Sequence, residues 1–385
     1  MRTIIAVLLL LLAVTFLAGG QPPWALAADD QATLRIFADT HAMKIAGMPP
    51  MPEIPEMPNM PNLPFKIPGL GGMPGMGGAM RMLSVRLFAP LIAPDKATAS
   101  LAIPGGLKLG QKLDLALYRP QPEKPEEGEV NPDQVPDFTI LRYWGSSPTV
   151  KPGQPETFSW ADITPEQKAT LREEMKKAAK KAGYFYRDDW TTGYWPNGKA
   201  TGIIDKQASL VGHYALTTTF TGNSQLEVPA GVDFLDGINL TSPDLTTFPP
   251  LDQAMTFQWD PVPGVLAYHA MIMGMKGEKT MINWSSSEVK EETMGNWDFL
   301  SADRIAELVE ATVLMAPDCQ EVTVPAGIFQ DCDFVSLTMI GFGQGVQADG
   351  QPQPSLQIRT TLMVTLGGKQ MEEEMQKEGA EPGGY

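Results

Sequence analysis

The stretch Met255-Thr-Phe-Gln-Trp259-Asp-Pro-Val-Pro-Gly-Val-Leu-Ala-Tyr268-His-Ala-Met-Ile-Met273 decides how this chain folds. Met255–Trp259 alternates apolar and polar residues, the two-residue period of a strand with one face in a core. Pro261, Pro263 and Gly264 then supply turn chemistry, and Tyr268–Met273 is a second apolar strand. A large aromatic closes the first strand and another opens the second, so both rings can pack between two sheets. The stretch predicts the corner of a β-sandwich.

Working outward, turn signals separate further alternating runs: Thr33–Phe37, Leu83–Phe88, Ala97–Ile103, Leu113–Tyr118, Phe138–Trp144, Leu210–Phe220, Gln225–Val228, Thr280–Trp284, Phe334–Ile340 and Leu356–Leu366. The class expected is mainly β, with two sandwich-like domains over 83–222 and 223–368. Residues 28–42 add a first strand to the earlier domain. The Trp/Tyr corner resembles the turn between the second and third strands of fibronectin type III domains. That resemblance implies a similar sandwich for the C-terminal half and no particular activity, because such domains serve many functions.

Helix signals are sparse. Thr164-Pro-Glu-Gln167 is a capping box opening an apolar 164–182 period, with Lys176, Lys177, Lys180 and Lys181 in its last turns. That basic cluster reads as a solvated face. A shorter helix is expected from Ser301 to about Met315, with Ile305, Leu308, Val309 and Thr312 at helical spacing.

The chain has 385 residues, 37 of them Gly and 35 Pro, and a net charge of -16. Phosphate would be repelled across most of such a surface, which argues against nucleic-acid partners and anionic lipid. Arg2, the apolar run Ile4–Leu17 and Ala25-Leu-Ala27 have the three-part pattern of an export signal over 1–27. A periplasmic or secreted location is expected, with no membrane span after cleavage. Cys319 and Cys332 flank Val322–Phe329, which reads as a hairpin; a disulfide between them is expected, contributing about 3 kcal/mol if unstrained.

Residues 43–82 differ from the rest. Met48-Pro-Pro-Met51-Pro-Glu-Ile-Pro-Glu-Met57-Pro-Asn-Met60-Pro passes into the glycine-rich Gly69–Gly78. Dense proline excludes helix and central strand, so this segment is expected to be flexible and without its own core. Met48, Met51, Met57 and Met60 form two Met-x-x-Met pairs whose thioethers suit Cu(I), with His41 and Met43 just upstream. The competing reading is a strap whose methionines are adaptable apolar filler along a groove or partner.

Four stretches, Tyr143-Trp-Gly145, Pro152-Gly-Gln-Pro155, Trp284-Ser-Ser-Ser-Glu288 and Val322-Thr-Val-Pro-Ala-Gly-Ile-Phe329, occur in this order. In this the chain resembles a family of exported, uncharacterised proteins of Gram-negative bacteria. Members carry Cys-Gly-Glu after Trp-Gly, where this chain has Ser146-Ser-Pro148. The resemblance implies export and organisation, and no activity.

The aromatic stretch Tyr184–Trp195 reads as an ordered loop, with Tyr184, Tyr186, Trp190, Tyr194 and Trp195 as rings that could stack on a ligand. The alternative is that they cover a junction between β domains. No zinc-protease helix, phosphate loop, dinucleotide fingerprint or nucleophile elbow is present. Ser285–Ser287 and Asp188-Asp189 are the polar clusters a hydrolase would have to use. The leading expectation is a non-enzymatic binding or scaffold protein with a protein or glycan partner and no cofactor. A Cu(I)-binding protein comes second, and a secreted hydrolase third.

Overall fold

The computed structural model describes residues 31–48, 78–119, 138–164, 190–197, 202–290 and 299–369. The export signal expected over 1–27, the Met/Pro/Gly stretch 49–77, the basic helix expected after Thr164, and the charged tail expected over 369–385 beyond Lys369 lie outside the described residues. The fold is mainly β, as expected.

Among the described residues, nineteen strands build three sheets. In chain order they are β1 Thr33–Ile45, β2 Met80–Ala89, β3 Ala99–Ala102, β4 Lys112–Asp114, β5 Ala116–Tyr118, β6 Thr139–Trp144, β7 Glu156–Ser159, β8 Thr191–Trp195, β9 Ile203–Ile204, β10 Gly212–Thr218, β11 Ser224–Val228, β12 Leu240–Ser242, β13 Met255–Trp259, β14 Val265–Lys276, β15 Thr280–Ser285, β16 Glu321–Val324, β17 Phe334–Gly343, β18 Val346–Gln347 and β19 Gln353–Gly367. The large sheet runs β5-β8-β2-β1-β19-β17-β14-β15-β6-β7, with β18 on β19 and β9 on β2. The two smaller sheets run β11-β10-β3-β4 and β12-β13-β16.

The large sheet takes strands from both sides of residue 222. β1 lies parallel to β19, Thr33 opposite Gln353 through Ile45 opposite Thr365, and β6 lies parallel to β15. The first and last described strands thus meet in the middle of one sheet. Their inward residues alternate: Leu34, Ile36 and Ala38 on β1, Leu83, Val85 and Leu87 on β2, and Leu356, Ile358, Leu362 and Val364 on β19 are all buried. Both smaller sheets pack on this inner face. Leu101, Tyr214 and Leu226 from one, and Phe257, Val322 and Val324 from the other, belong to the same hydrophobic cluster as the large-sheet residues. Fully burying side chains of this size contributes about 1.5–3 kcal/mol each.

The corner predicted at Trp259 and Tyr268 is formed. Trp259 ends β13 in a small sheet, Tyr268 lies on β14 in the large one, and the rings meet between the two sheets.

On the opposite, outer face sits the one α-helix among the described residues, α1 (Ala302–Glu310). The Ser301 hydroxyl accepts a hydrogen bond from Arg304 N at 3.2 Å, a standard N-cap. Ile305 and Leu308 pack against Ala267 and Phe342. The helix stops before Met315 because Thr312 adopts a left-handed backbone, with φ +56°, and Val313 N and Leu314 N both return to Leu308 O.

The disulfide expectation is corrected: Cys319 and Cys332 are free thiols, Cys332 buried. Their loops are anchored at opposite ends of β14. Met315 bridges Tyr268 near its start, while Asp333 N donates to Met275 O near its end. Those anchor points are roughly 23 Å apart along a strand. The expectation of a flexible segment over 43–82 is corrected at both ends, since β1 continues to Ile45 and β2 starts at Met80.

Candidate functional site

The outer face of the large sheet carries the residues with the most chemistry. Alternation on β1 sends Arg35, Phe37, Asp39 and His41 away from the core, all half-buried. Register places their neighbours: Arg35 opposite Arg86 and Asp39 opposite Met82 on β2, Asp39 beside Arg359 on β19, and Arg86 opposite Tyr194 on β8. Guanidinium groups lie over rings, Arg35 over Phe88 at 5.6 Å, Arg86 over Phe37 at 6.0 Å and Arg359 over Phe37 at 5.9 Å. Such stacking retains the planar N–H edge that suits carboxylates. Asp39 accepts from the Thr361 hydroxyl at 3.0 and 3.1 Å and pairs with Arg359 at 3.8 Å.

One strand pair further along the same face, polar aromatic chemistry gives way to soft donors. His41 faces Met80 on β2, and Met43 lies beside Met363 on β19. Met48, the first of the Met-x-x-Met residues, is half-buried beyond β1. Met51, Met57 and Met60 lie outside the described residues.

Of the aromatic residues expected to stack on a ligand, Trp190 and Trp195 are buried, each 8% exposed. Thr191–Trp195 is strand β8, between β5 and β2, where a loop was expected. Tyr194 alone of the described rings keeps a half-buried position on the outer face, and Tyr184 and Tyr186 lie outside the described residues.

The four ordered stretches, scattered in sequence, meet at one end of β6 and β15. Gln154 clamps the Trp144 backbone, its Oε1 accepting from Trp144 N at 3.1 Å and its Nε2 donating to Trp144 O at 2.9 Å. The buried indole of Trp284 donates to Gly145 O at 3.1 Å. Glu288 Oε1 accepts from Ser146 N at 2.9 Å while its other oxygen pairs with Lys151. Ser146 Oγ accepts from Thr323 N at 2.9 Å, and Ala326 N donates to Pro148 O. Gly145 has φ +91°, and a Cβ there would strike Lys151 Nζ. Partial burial holds the nearby Tyr143 phenol above its usual range. The cluster is a structural knot of backbone clamps.

The serines of this cluster are used by the fold. Ser286 and Ser287 are buried; Ser286 Oγ accepts from Ala270 N at 2.9 Å and Ser287 Oγ donates to Val289 O at 2.8 Å. Asp188 and Asp189 lie outside the described residues. No group of three or more His, Cys, Asp and Glu side chains gathers into a metal-binding arrangement among the described residues. No helix among them is long and apolar enough to cross a membrane.

Comparison with protein families, curated proteins and solved structures finds no match for this chain.

Sequence reasoning missed the outer face. Its residues come from β1, β2, β8 and β19, and only the alternation in each strand hints at a second face away from the core.

Proposed function

We propose that this chain is an exported, non-enzymatic binding or scaffold protein of the cell envelope, and that its working surface is the outer face of the large sheet. The observation that carries this reading is the lattice of Arg35, Arg86 and Arg359 interleaved with Phe37, Phe88 and Tyr194. In a chain of net charge -16, arginines at neighbouring register positions make a local surface of opposite sign. A guanidinium on a ring combines a flat apolar platform with charge-assisted donors, which supports a carboxylate-bearing glycan or protein partner.

Binding of the purified chain to immobilised uronate-bearing and neutral glycans, and to acidic and neutral peptides, tests it. The expected result is binding that requires carboxylates, weakens with salt and falls at least tenfold in Arg86→Ala/Arg359→Ala. Equal binding by that variant, or none to any acidic ligand, overturns it.

A further inference from the structure

Beyond that reading, we infer that His41, Met43, Met80 and Met363 form a binding site for a soft monovalent metal ion, Cu(I) in chemical class. The topology brings together residues that lie more than 300 positions apart in sequence. Met43 and Met363 are register neighbours across the parallel β1–β19 pair, and His41 and Met80 face each other across the antiparallel β1–β2 pair. His41 and Met43 are two residues apart on β1 and therefore share a face. Met80 lies on the same outer face as Met82, because Leu83, Val85 and Leu87 alternate into the core. Neighbouring strands are about 4.8 Å apart and same-face residues along a strand about 6.6 Å. Three thioether arms and an imidazole rooted at such spacing can converge on one ion.

All four residues are half-buried, so the donors are partly shielded yet reachable. The set is one neutral nitrogen and three neutral sulfurs. Thioethers select soft ions, whereas zinc calls for more imidazole, thiolate or carboxylate ligands than the single His41 supplies, and calcium and magnesium call for oxygen. Asp39, two residues before His41 on the same face of β1, is held by Thr361 and Arg359. A d10 monovalent ion makes no strong geometric demand, which suits ligands set on a sheet.

The alternative role for these methionines is apolar filler. The two roles separate under a change that keeps volume and removes sulfur. Ag(I), a redox-inert stand-in, and Cu(I) under anaerobic conditions are titrated into the purified chain against a competing chelator, beside Met43→Leu/Met363→Leu and His41→Ala. Ligand shifts are read from methionine methyl and histidine ring resonances.

The expected result is one equivalent bound with shifts confined to these residues, and affinity lowered at least tenfold in each variant while the metal-free thermal midpoint of Met43→Leu/Met363→Leu stays near that of the parent. Unchanged affinity in the leucine variant, or no binding by the parent, overturns the site. Binding that survives in the leucine variant and disappears when residues 49–77 are removed also overturns it, by placing the ligands in that segment.

Discussion

The indole of Trp259 meets the ring of Tyr268 edge to face, with centroids 5.4 Å apart and planes at 64°. Because Trp259 belongs to the β12-β13-β16 sheet and Tyr268 to the large one, this contact rivets two layers. The Tyr268 hydroxyl also accepts from Val262 N at 3.0 Å, pinning the turn between the strands. Burial raises the Tyr268 phenol above its usual range, against the opposing Val262 and Trp259 hydrogen bonds. Tyr268→Phe, which keeps the ring contact and removes the phenol oxygen that accepts from Val262 N, is expected to cost about 1–2 kcal/mol. Trp259→Ala is expected to cost about 3–5 kcal/mol. Urea unfolding of both and of the double variant checks this, with a coupling of about 0.5–1.5 kcal/mol beyond additivity for the ring pair.

The knot around Gly145 sets a buried contact against an exposed one. Trp284 is 1% exposed, and its indole N–H satisfies Gly145 O. Trp284→Phe leaves that carbonyl short of a partner and opens space, so a loss of about 2 kcal/mol or more is expected. Gly145→Ala forces a left-handed backbone on a residue with a Cβ, costing about 1–2 kcal/mol. Glu288→Gln keeps an acceptor for Ser146 and removes only a half-exposed ion pair, worth about 0–1 kcal/mol. Denaturant midpoints in that rank order support the knot; a Glu288→Gln loss matching that of Trp284→Phe contradicts it.

The two thiols should differ sharply in reactivity. Burial pushes the Cys332 thiol up to about 11, so it stays protonated near neutrality, and its side chain is 1% exposed. Cys319 is half-buried, and its Sγ donates to Glu321 O at 3.3 Å. With a disulfide-exchange reagent at pH 8, one thiol should react in the native protein and the second only on unfolding. Cys319→Ser should remove the early phase and leave the late one. Two equally fast phases would show that the Cys332 loop opens readily.

Much of the strand content was legible because alternation is written into each run, and the Trp259–Tyr268 corner was readable from its turn chemistry. Thr191–Trp195 was not, because Gly193 and its polar neighbours look like loop. In the sheet, Gly193 allows close packing: a Cβ there would come within 3.2 Å of Leu117 and 3.3 Å of Leu87. Leu113–Tyr118 reads as one strand, yet the chain leaves the small sheet after Asp114 and enters the large sheet at Ala116. Strand order was out of reach, since no local signal pairs Met43 with Met363. The outer face therefore emerges only from long-range register, while of the four Met-x-x-Met residues that drew attention in the sequence just Met48 is among the described residues.

Acid should loosen the fold where β19 ends. Asp331 accepts from Lys369 Nζ at 2.8 Å and lies 3.6 Å from Lys276, and the Lys369 interaction is the main reason its carboxyl sits below the usual range. A depressed folded-state value means that the stabilisation is present above the unfolded carboxylate value of about 3.9 and is lost as pH falls through the lower folded value. Asp331→Asn removes the charge while tolerating the left-handed backbone seen here, φ +66°. Thermal midpoints measured from pH 7 to pH 2 should show parent and variant separated near neutrality, by the small amount an exposed pair allows, and converging below about pH 4. A gap that widens toward low pH would mean that Asp331 stabilises the protein through its protonated form and would reverse the sign of this assignment.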